Sequence, residues 1–168
     1  IQSDAGILLA SMKPKEVTAL LEQCPVDVLK GHPLAILVLM RRMFTWHQVP
    51  KMMELKELLM SSILEHPDMT QEERGNLLGE CDLIMSFLMY NDISKMSQFH
   101  RRASARMSRP AISIRNEGGW TFGSPSVLMM FHRTPGNLEK ELQEMNDCMP
   151  HYYRITNGHG QGAERIMS

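Results

Sequence analysis

The chain has 168 residues, of which 43% are hydrophobic and 22% charged, and its formal net charge is -1. This length suits one full domain, and the composition is too apolar for a disordered protein. A net charge near zero disfavours nucleic-acid binding by the domain as a whole, because such binding needs an excess of Lys and Arg.

The cysteines and the apolar runs bear on the compartment. Cys24, Cys81 and Cys148 are far apart, form no CxxC motif and leave an odd thiol. A secreted disulfide framework uses paired cysteines, so a reducing cytoplasm fits better. No apolar run reaches the length of a membrane span, and the N-terminus lacks the layout of a signal peptide. We therefore expect a cytoplasmic protein, and we interpret the chain as a fragment of a longer one.

Proline and glycine divide residues 1–32 into short lead-in helices. Pro14 begins a helix with apolar residues along one face, and Pro25 ends it. A further helical turn stops at Gly31. Pro33 then begins a helix that is apolar on almost every side, which predicts a central position in the core.

Residues 33–108 are predicted to form two antiparallel helical hairpins. After a corner at Trp46, apolar residues recur at helical spacing as Met52, Leu55, Leu59 and Ile63. A capping box at residues 70–73 begins the next helix, which we expect to run to about Tyr90. The inward residues of the second hairpin are Leu77, Cys81, Ile84, Leu88, Ile93, Met96, Phe99, Ala103 and Met107. Because the two hairpins start about one repeat length apart, we predict a solenoid-like, TPR-like array.

The segment 109–123 departs from helical periodicity, and we predict an irregular loop there. Three glycines and two large aromatic residues, Trp120 and Phe122, fall within six residues of this segment. Glycine lets the backbone turn sharply, and the aromatic rings can fill a hollow. Such a loop can line a ligand site or plug the core.

Residues 124–168 are predicted to return to helices. Asn137 is expected to cap a helix that Pro150 ends, and a glycine-rich turn at residues 157–162 is expected to lead into the last helix. The chain as a whole is therefore predicted to be one all-α helical-repeat domain.

Aromatic and polar side chains around the irregular loop are candidates for an effector pocket. They are Trp120, Phe122, His132, Arg133 and His159. Small-ligand sites combine apolar walls with a few polar groups that fix the ligand's orientation. Aromatic rings between helix pairs are more often core residues, so packing is the alternative interpretation.

The residue pattern predicts neither catalysis nor a metal site. Cys148, His151 and His159 form the best local set of metal ligands, but no fourth ligand stands at zinc-finger spacing. Residues 123–126 do not follow a strand, as a hydrolase nucleophile elbow does, and a capping role explains Ser124. We expect no catalytic residue, no metal and no cofactor.

A run of basic residues marks the helix that precedes the loop: His100, Arg101, Arg102, Arg106 and Arg109. Such a run can contact phosphates or an acidic partner. Cations near a helix C-terminus also complement the helix dipole, and charge clusters usually mark a solvated face. We expect no direct nucleic-acid binding by this chain.

The second half of the chain carries residues that resemble those of a known family. They are Gly123-Ser124-Pro125-Ser126-Val127-Leu128, His132-Arg133, Pro135-Gly136, Leu142, Met149-Pro150 and Gly158-His159-Gly160-Gln161-Gly162-Ala163-Glu164. This set is similar to the helical central region of large MalT-like, LuxR-type ATP-dependent transcriptional regulators of bacteria. The first part, with Pro14-Lys15-Glu16-Val17 and His32-Pro33-Leu34-Ala35, resembles the start of the same region.

The resemblance implies that the full protein has an N-terminal nucleotide-switch module and a C-terminal helix-turn-helix. This region would then be the effector sensor and assembly surface, without ATPase or DNA-binding activity of its own. We expect it to couple binding of an effector, a protein partner or a second copy to activation. A general helical-repeat interaction scaffold with no small-molecule ligand is the alternative.

Overall fold

The computed structural model describes residues 7–89, 92–114 and 135–161. Within these ranges the chain is helical and contains no β-strand, which confirms the predicted all-α class. The helices are α1 (Ile7–Ala10), α2 (Pro14–Gln23), α3 (Val26–Lys30), α4 (Pro33–Thr45), α5 (Val49–Glu65), α6 (Gln71–Ser86), α7 (Ile93–Arg106) and α8 (Leu138–Thr156), with a 3₁₀ turn at Phe87–Met89 after α6.

The described residues fall into two compact units. Unit 1 contains residues 7–77 and 112–114, and unit 2 contains residues 78–111 and 135–161. Helix α6 begins in unit 1 and ends in unit 2. Each unit buries a set of apolar side chains of its own.

The core of unit 1 is built on α4. Side chains 35–40 and Met43 are buried, as predicted for a helix that is apolar on almost every side. Short connections bring α3 and α5 back against α4, and α5 adds the buried residues Met52, Leu55, Leu59 and Ile63, all predicted to point inward. Each such side chain contributes roughly 1.5–3 kcal/mol when it leaves water, so this packing is the main stabilising contribution in unit 1.

Arg74 holds the corner between α5 and α6 in unit 1. Its guanidinium donates to the backbone carbonyls of Ile63, His66 and Met69, with distances of 2.5 Å to His66 and 3.3 Å to Met69. The last carbonyls of a helix lack donors within the helix. One planar group with several N–H donors therefore satisfies the end of α5.

In unit 2, α6 and α7 pack in opposite directions. Gly79 lies against Met107, whereas Ser86, further along α6, lies against His100, which is earlier in α7. A Cβ atom at position 79 would overlap the Met107 side chain. Glycine therefore permits the close approach of the two helices at this point.

Helices α7 and α8 of unit 2 run in the same direction. His100 contacts Cys148, and Ser104, one turn later, contacts Arg154 at 3.1 Å. Two parallel neighbouring helices need a connection that returns the chain to the starting end.

Two helix ends differ from the sequence prediction. Helix α6 ends at Ser86 and passes into the 3₁₀ turn, earlier than predicted. Helix α8 continues through Pro150 to Thr156, so the prediction that Pro150 ends this helix is wrong. Pro150 is exposed, and the only backbone group that loses its helical donor is the carbonyl of Asn146, four residues earlier. Water can solvate that carbonyl, so the helix persists.

The predicted irregular loop is described as far as residue 114. Residues 107–114 are not helical, and the amide of Ala111 donates to the carbonyl of Ile155 at 2.7 Å. The glycine, tryptophan and phenylalanine stretch, the helix expected after Ser124 and the last expected helix lie outside the described residues.

Candidate functional site

Two helices of unit 2, α6 and α8, place polar side chains against the buried His100 of α7. Its Nε2 lies 3.1 Å from Oγ of Ser86 on α6, and its Nδ1 lies 3.1 Å from Sγ of Cys148 on α8. The Ser86 hydroxyl donates its hydrogen to the carbonyl of Leu83 at 2.6 Å. Its oxygen must therefore accept from Nε2–H of His100, which leaves Nδ1 to accept from the Cys148 thiol.

Burial keeps both members of this pair uncharged. Loss of hydration, with a smaller effect of the charge on His151, lowers the pKa of His100 to about 3. Loss of hydration raises the pKa of Cys148 to about 11. A cysteine nucleophile needs a thiolate and access to substrate, whereas the Cys148 side chain is 1% exposed. This arrangement suits a hydrogen-bonded core, not covalent catalysis.

The predicted effector residue His159 lies in the same interior. Its Nδ1 is 2.8 Å from the hydroxyl of Tyr152, and the Tyr152 ring centroid is 4.9 Å from that of His100. The chain returns to this position through a tight turn after α8, in which Asn157 and Gly158 have φ of 54° and 78°. Glycine and asparagine adopt such left-handed backbone more easily than other residues, which explains the residue types of this turn.

The other four predicted effector residues lie outside the described residues. They are Trp120, Phe122, His132 and Arg133. The effector pocket therefore stays a prediction. Of its five residues, the structure describes His159, which is buried in the core of unit 2.

The arginines of α7 lie against carboxylates of α6. Arg102 donates to Asp82 from Nε at 2.9 Å and from Nη2 at 2.5 Å, and Arg106 donates to the same carboxylate at 2.7 Å. Arg109, just after α7, contacts the fully buried carboxylate of Glu80 at 2.7 Å. Buried carboxylates are costly unless paired, so these arginines have a structural role. The basic run is visible in the sequence, but its acidic partners lie 20 or more residues earlier in the chain.

A solvent-open pocket of about 250 Å³ lies at the ends of α3 and α5 in unit 1. Its lining residues are Asp27, Lys30, Gly31, Ser62, Glu65, His66 and Pro67. Lys30 pairs with Glu65 at 2.8 Å, which holds the two helix ends together. The Nδ1 atom of His66 is buried and has no hydrogen-bond partner in the part of the chain that the structure describes. A polar atom of a ligand would satisfy it.

No three His, Cys, Asp or Glu side chains converge as metal ligands within residues 7–89, 92–114 and 135–161. Of the best set in the sequence, Cys148 bonds to His100 and His159 bonds to Tyr152. None of the helices described is both long enough and apolar enough to cross a bilayer.

Comparison with known proteins identifies no family for this chain. No protein-family model, curated protein or solved structure matches the chain. A functional interpretation therefore depends on the sequence resemblance and on the contacts described above.

Proposed function

We propose that this chain is a non-catalytic recognition region of a LuxR-type transcriptional regulator. In this proposal a solenoid-like array of helical hairpins binds a protein partner, in the first instance a second copy of the chain, and couples that binding to activation. The regulator assignment depends on the resemblance to MalT-like proteins. The recognition role is carried by one observation, the large aliphatic side chains that unit 1 leaves at its surface.

These aliphatic residues are distributed over α2, α3 and α5. The most exposed on these helices are Leu20, Val26, Val28 and Leu64, with exposed fractions of 54%, 56%, 51% and 79%. The ion pair between Lys30 and Glu65 joins α3 to α5, so three of these positions, Val26, Val28 and Leu64, lie on neighbouring helices. Exposed apolar area of this kind is favourably removed from water when a partner covers it.

The packing of unit 2 supports the array. Helices α6 and α7 are antiparallel, and α7 and α8 are parallel. Equivalent helices of successive two-helix repeats run in the same direction, so a parallel α7 and α8 agree with stacked repeats in which these two helices occupy the same place. The uncharged, buried pair of Cys148 and His100 favours recognition over catalysis.

Self-association of the full chain tests the recognition role. We expect sedimentation velocity to show concentration-dependent association, and we expect Leu64→Lys to weaken it by at least about tenfold, because a charge would have to be desolvated in the contact. Leu138→Lys makes the same change at an exposed leucine of unit 2 and is the control. A chain that stays monomeric at every concentration, or equal effects of both substitutions, would contradict the proposal.

Effector sensing is the second candidate, and the pocket at the ends of α3 and α5 favours it. Its volume of about 250 Å³ is slightly below the usual range for ligand sites, roughly 300–1,000 Å³. A ligand that prefers one arrangement of the helices would shift the equilibrium toward it. A thermal-shift screen followed by calorimetry tests this idea. Binding that is lost in His66→Phe but kept in the exposed control His32→Phe supports effector sensing at this pocket. Binding that is kept in both variants contradicts it.

A further inference from the structure

We propose that Arg102 and Arg106 on α7 form a binding site for the phosphate group of a small ligand. This site lies in unit 2 and does not depend on the recognition role proposed for unit 1. Four observations carry it: the shared carboxylate, the unused donors, the charge balance and the cover on the end of α7.

The two guanidinium groups are fixed on one carboxylate. Oδ2 of Asp82 accepts from Nε of Arg102 at 2.9 Å and from Nη1 of Arg106 at 2.7 Å. Two guanidiniums that share one oxygen atom lie close enough for a single tetrahedral anion to contact both. The Phe99 ring centroid lies 4.6 Å from the guanidinium carbon of Arg102 and fixes its plane further. The site is therefore organised before any ligand arrives.

Both arginines keep donors that are not used within the described residues. Arg102 uses Nε and Nη2, and Arg106 uses Nη1, in bonds to Asp82. Nη1 of Arg102, and Nε and Nη2 of Arg106, have no hydrogen-bond partner in residues 7–89, 92–114 and 135–161. The two side chains are 48% and 41% exposed. An anion from solvent can therefore reach these donors.

The charge balance favours an anion. One carboxylate, Asp82, faces two guanidiniums, which leaves one positive charge in excess. The neighbouring arginines do not share this carboxylate, because Arg101 pairs with Glu144 at 3.8 Å and Arg109 pairs with Glu80 at 2.7 Å. A phosphate monoester carries roughly 1.5 to 2 negative charges and three acceptor oxygens. It can therefore meet the excess charge and bond to several of the unused donors at once.

The dipole of α7 would oppose an anion near its C-terminus, but Arg154 covers that end. Its guanidinium donates to the carbonyl of Ser104 and, at 2.7 Å, to the carbonyl of Met107. These bonds offset the partial negative charge of the last turn. The positive charge at Arg102 and Arg106 is therefore not cancelled by the helix end.

A small phosphate ligand suits this site better than a nucleic-acid strand. A strand gains affinity from many phosphate contacts, whereas the excess here is one charge on a chain whose net charge is -1. A single phosphate needs no further cations. The ligand class is therefore a phosphate monoester or a pyrophosphate.

Titration of the full chain with inorganic pyrophosphate at low ionic strength tests the site. We expect ³¹P NMR and calorimetry to detect binding, and we expect Arg106→Gln to weaken it by at least about tenfold, because a charge-assisted hydrogen bond is lost. Arg101→Gln removes the same charge from the residue next to Arg102, which does not bind Asp82. We expect this variant to bind pyrophosphate within about twofold of the original affinity. Arg106→Lys keeps the charge without the guanidinium fork and should fall between the two.

Four outcomes would overturn the proposal. They are no detectable pyrophosphate binding, an equal loss in Arg101→Gln and Arg106→Gln, acetate binding as tight as that of pyrophosphate, and an oligonucleotide that binds more tightly per phosphate than pyrophosphate. Circular dichroism of each variant checks that it is folded. If Arg106→Gln does not fold, Arg106→Lys decides the matter, and an affinity equal to that of the original chain would then count against the site.

Discussion

Nδ1 of His100 lies 3.1 Å from the sulfur of Cys148, and both side chains are sealed inside unit 2. The two residues are those of a cysteine–histidine dyad. Burial lowers the pKa of His100 and raises the pKa of Cys148, so both groups are neutral and no thiolate–imidazolium pair forms. With Ser86, the pair links α6, α7 and α8 through hydrogen bonds. A fully satisfied buried network of this kind specifies one packing of the helices.

The free energy of unfolding should fall as the pH is lowered from 6.5 toward 3. The pKa of His100 is about 3 in the folded chain, against an ordinary value of 6.5, so the unfolded state binds more protons between these values. The contribution of the neutral imidazole is complete above pH 6.5 and declines by about 1.4 kcal/mol per pH unit below it. Urea denaturation at a series of pH values measures this slope.

Two variants separate the contribution of His100 to this pH dependence from that of the carboxylates, which also titrate in acid. His100→Gln cannot take up the proton, so its stability should decline less steeply with falling pH, although it starts lower. His32→Gln changes an exposed histidine and should keep the original slope. The same slope in all three proteins would show that His100 is not the group responsible.

Cys148 should resist alkylation in the folded protein. Because burial raises its pKa to about 11, roughly one thiol in ten thousand is ionised at pH 7, and the side chain is also inaccessible. Cys24 is only half-buried and should react first with iodoacetamide. Peptide mass spectrometry after timed labelling, with and without urea, measures both rates. Native labelling of Cys148 at the rate of Cys24 would contradict the buried position.

Arg74→Lys should destabilise the protein by roughly 1–3 kcal/mol, although the charge is kept, because a lysine cannot donate to all of the carbonyls that the guanidinium fork reaches. The carbonyls of Ile63 and His66 would lose donors at the end of α5. Arg101→Lys makes the same change at an exposed position and should cost little. Thermal denaturation followed by circular dichroism compares the two, and equal melting temperatures would refute the capping role.

Gly79→Ala should destabilise the protein by roughly 1–3 kcal/mol, because the new methyl group overlaps the buried Met107 side chain. Gly31→Ala is the matched comparison, since its nearest atoms would be 3.5 and 3.7 Å away, and it should be neutral or stabilise by up to about 1 kcal/mol. In a Met107→Ala background the cost at position 79 should shrink. Urea denaturation of the original chain, Gly79→Ala, Met107→Ala and the double variant measures the coupling between the two positions.

Local signals in the sequence predicted much of the helical structure. Pro14 and Pro33 stand at the first positions of α2 and α4, and Thr70 Oγ1 accepts from the amide of Glu73 at 3.1 Å, as the capping box predicted. These features act over three or four residues. Apolar periodicity likewise predicted the buried stripe of α5, because that pattern depends on helical spacing alone.

Contacts between distant residues were not predictable in the same way. Asp82 binds arginines 20 and 24 residues away, and His100 binds Cys148 from 48 residues away. Asp82 follows Cys81, which is predicted to point inward on α6. A charged residue at such a place in the sequence indicates that it has a buried partner of opposite charge. The identity of that partner depends on how α6 meets α7. Similarly, Pro150 would end a helix by local rules, and only its exposure explains why α8 continues.

Pro150 removes one backbone hydrogen bond from α8, the bond to the carbonyl of the exposed Asn146, while the helix continues on both sides of it. The part of α8 that follows Pro150 carries Tyr152, whose ring packs against His100 and whose hydroxyl bonds to His159. Side-chain contacts therefore add to the backbone hydrogen bonds that remain in this last part of α8. When those contacts loosen, it can fray without unwinding the longer stretch before it.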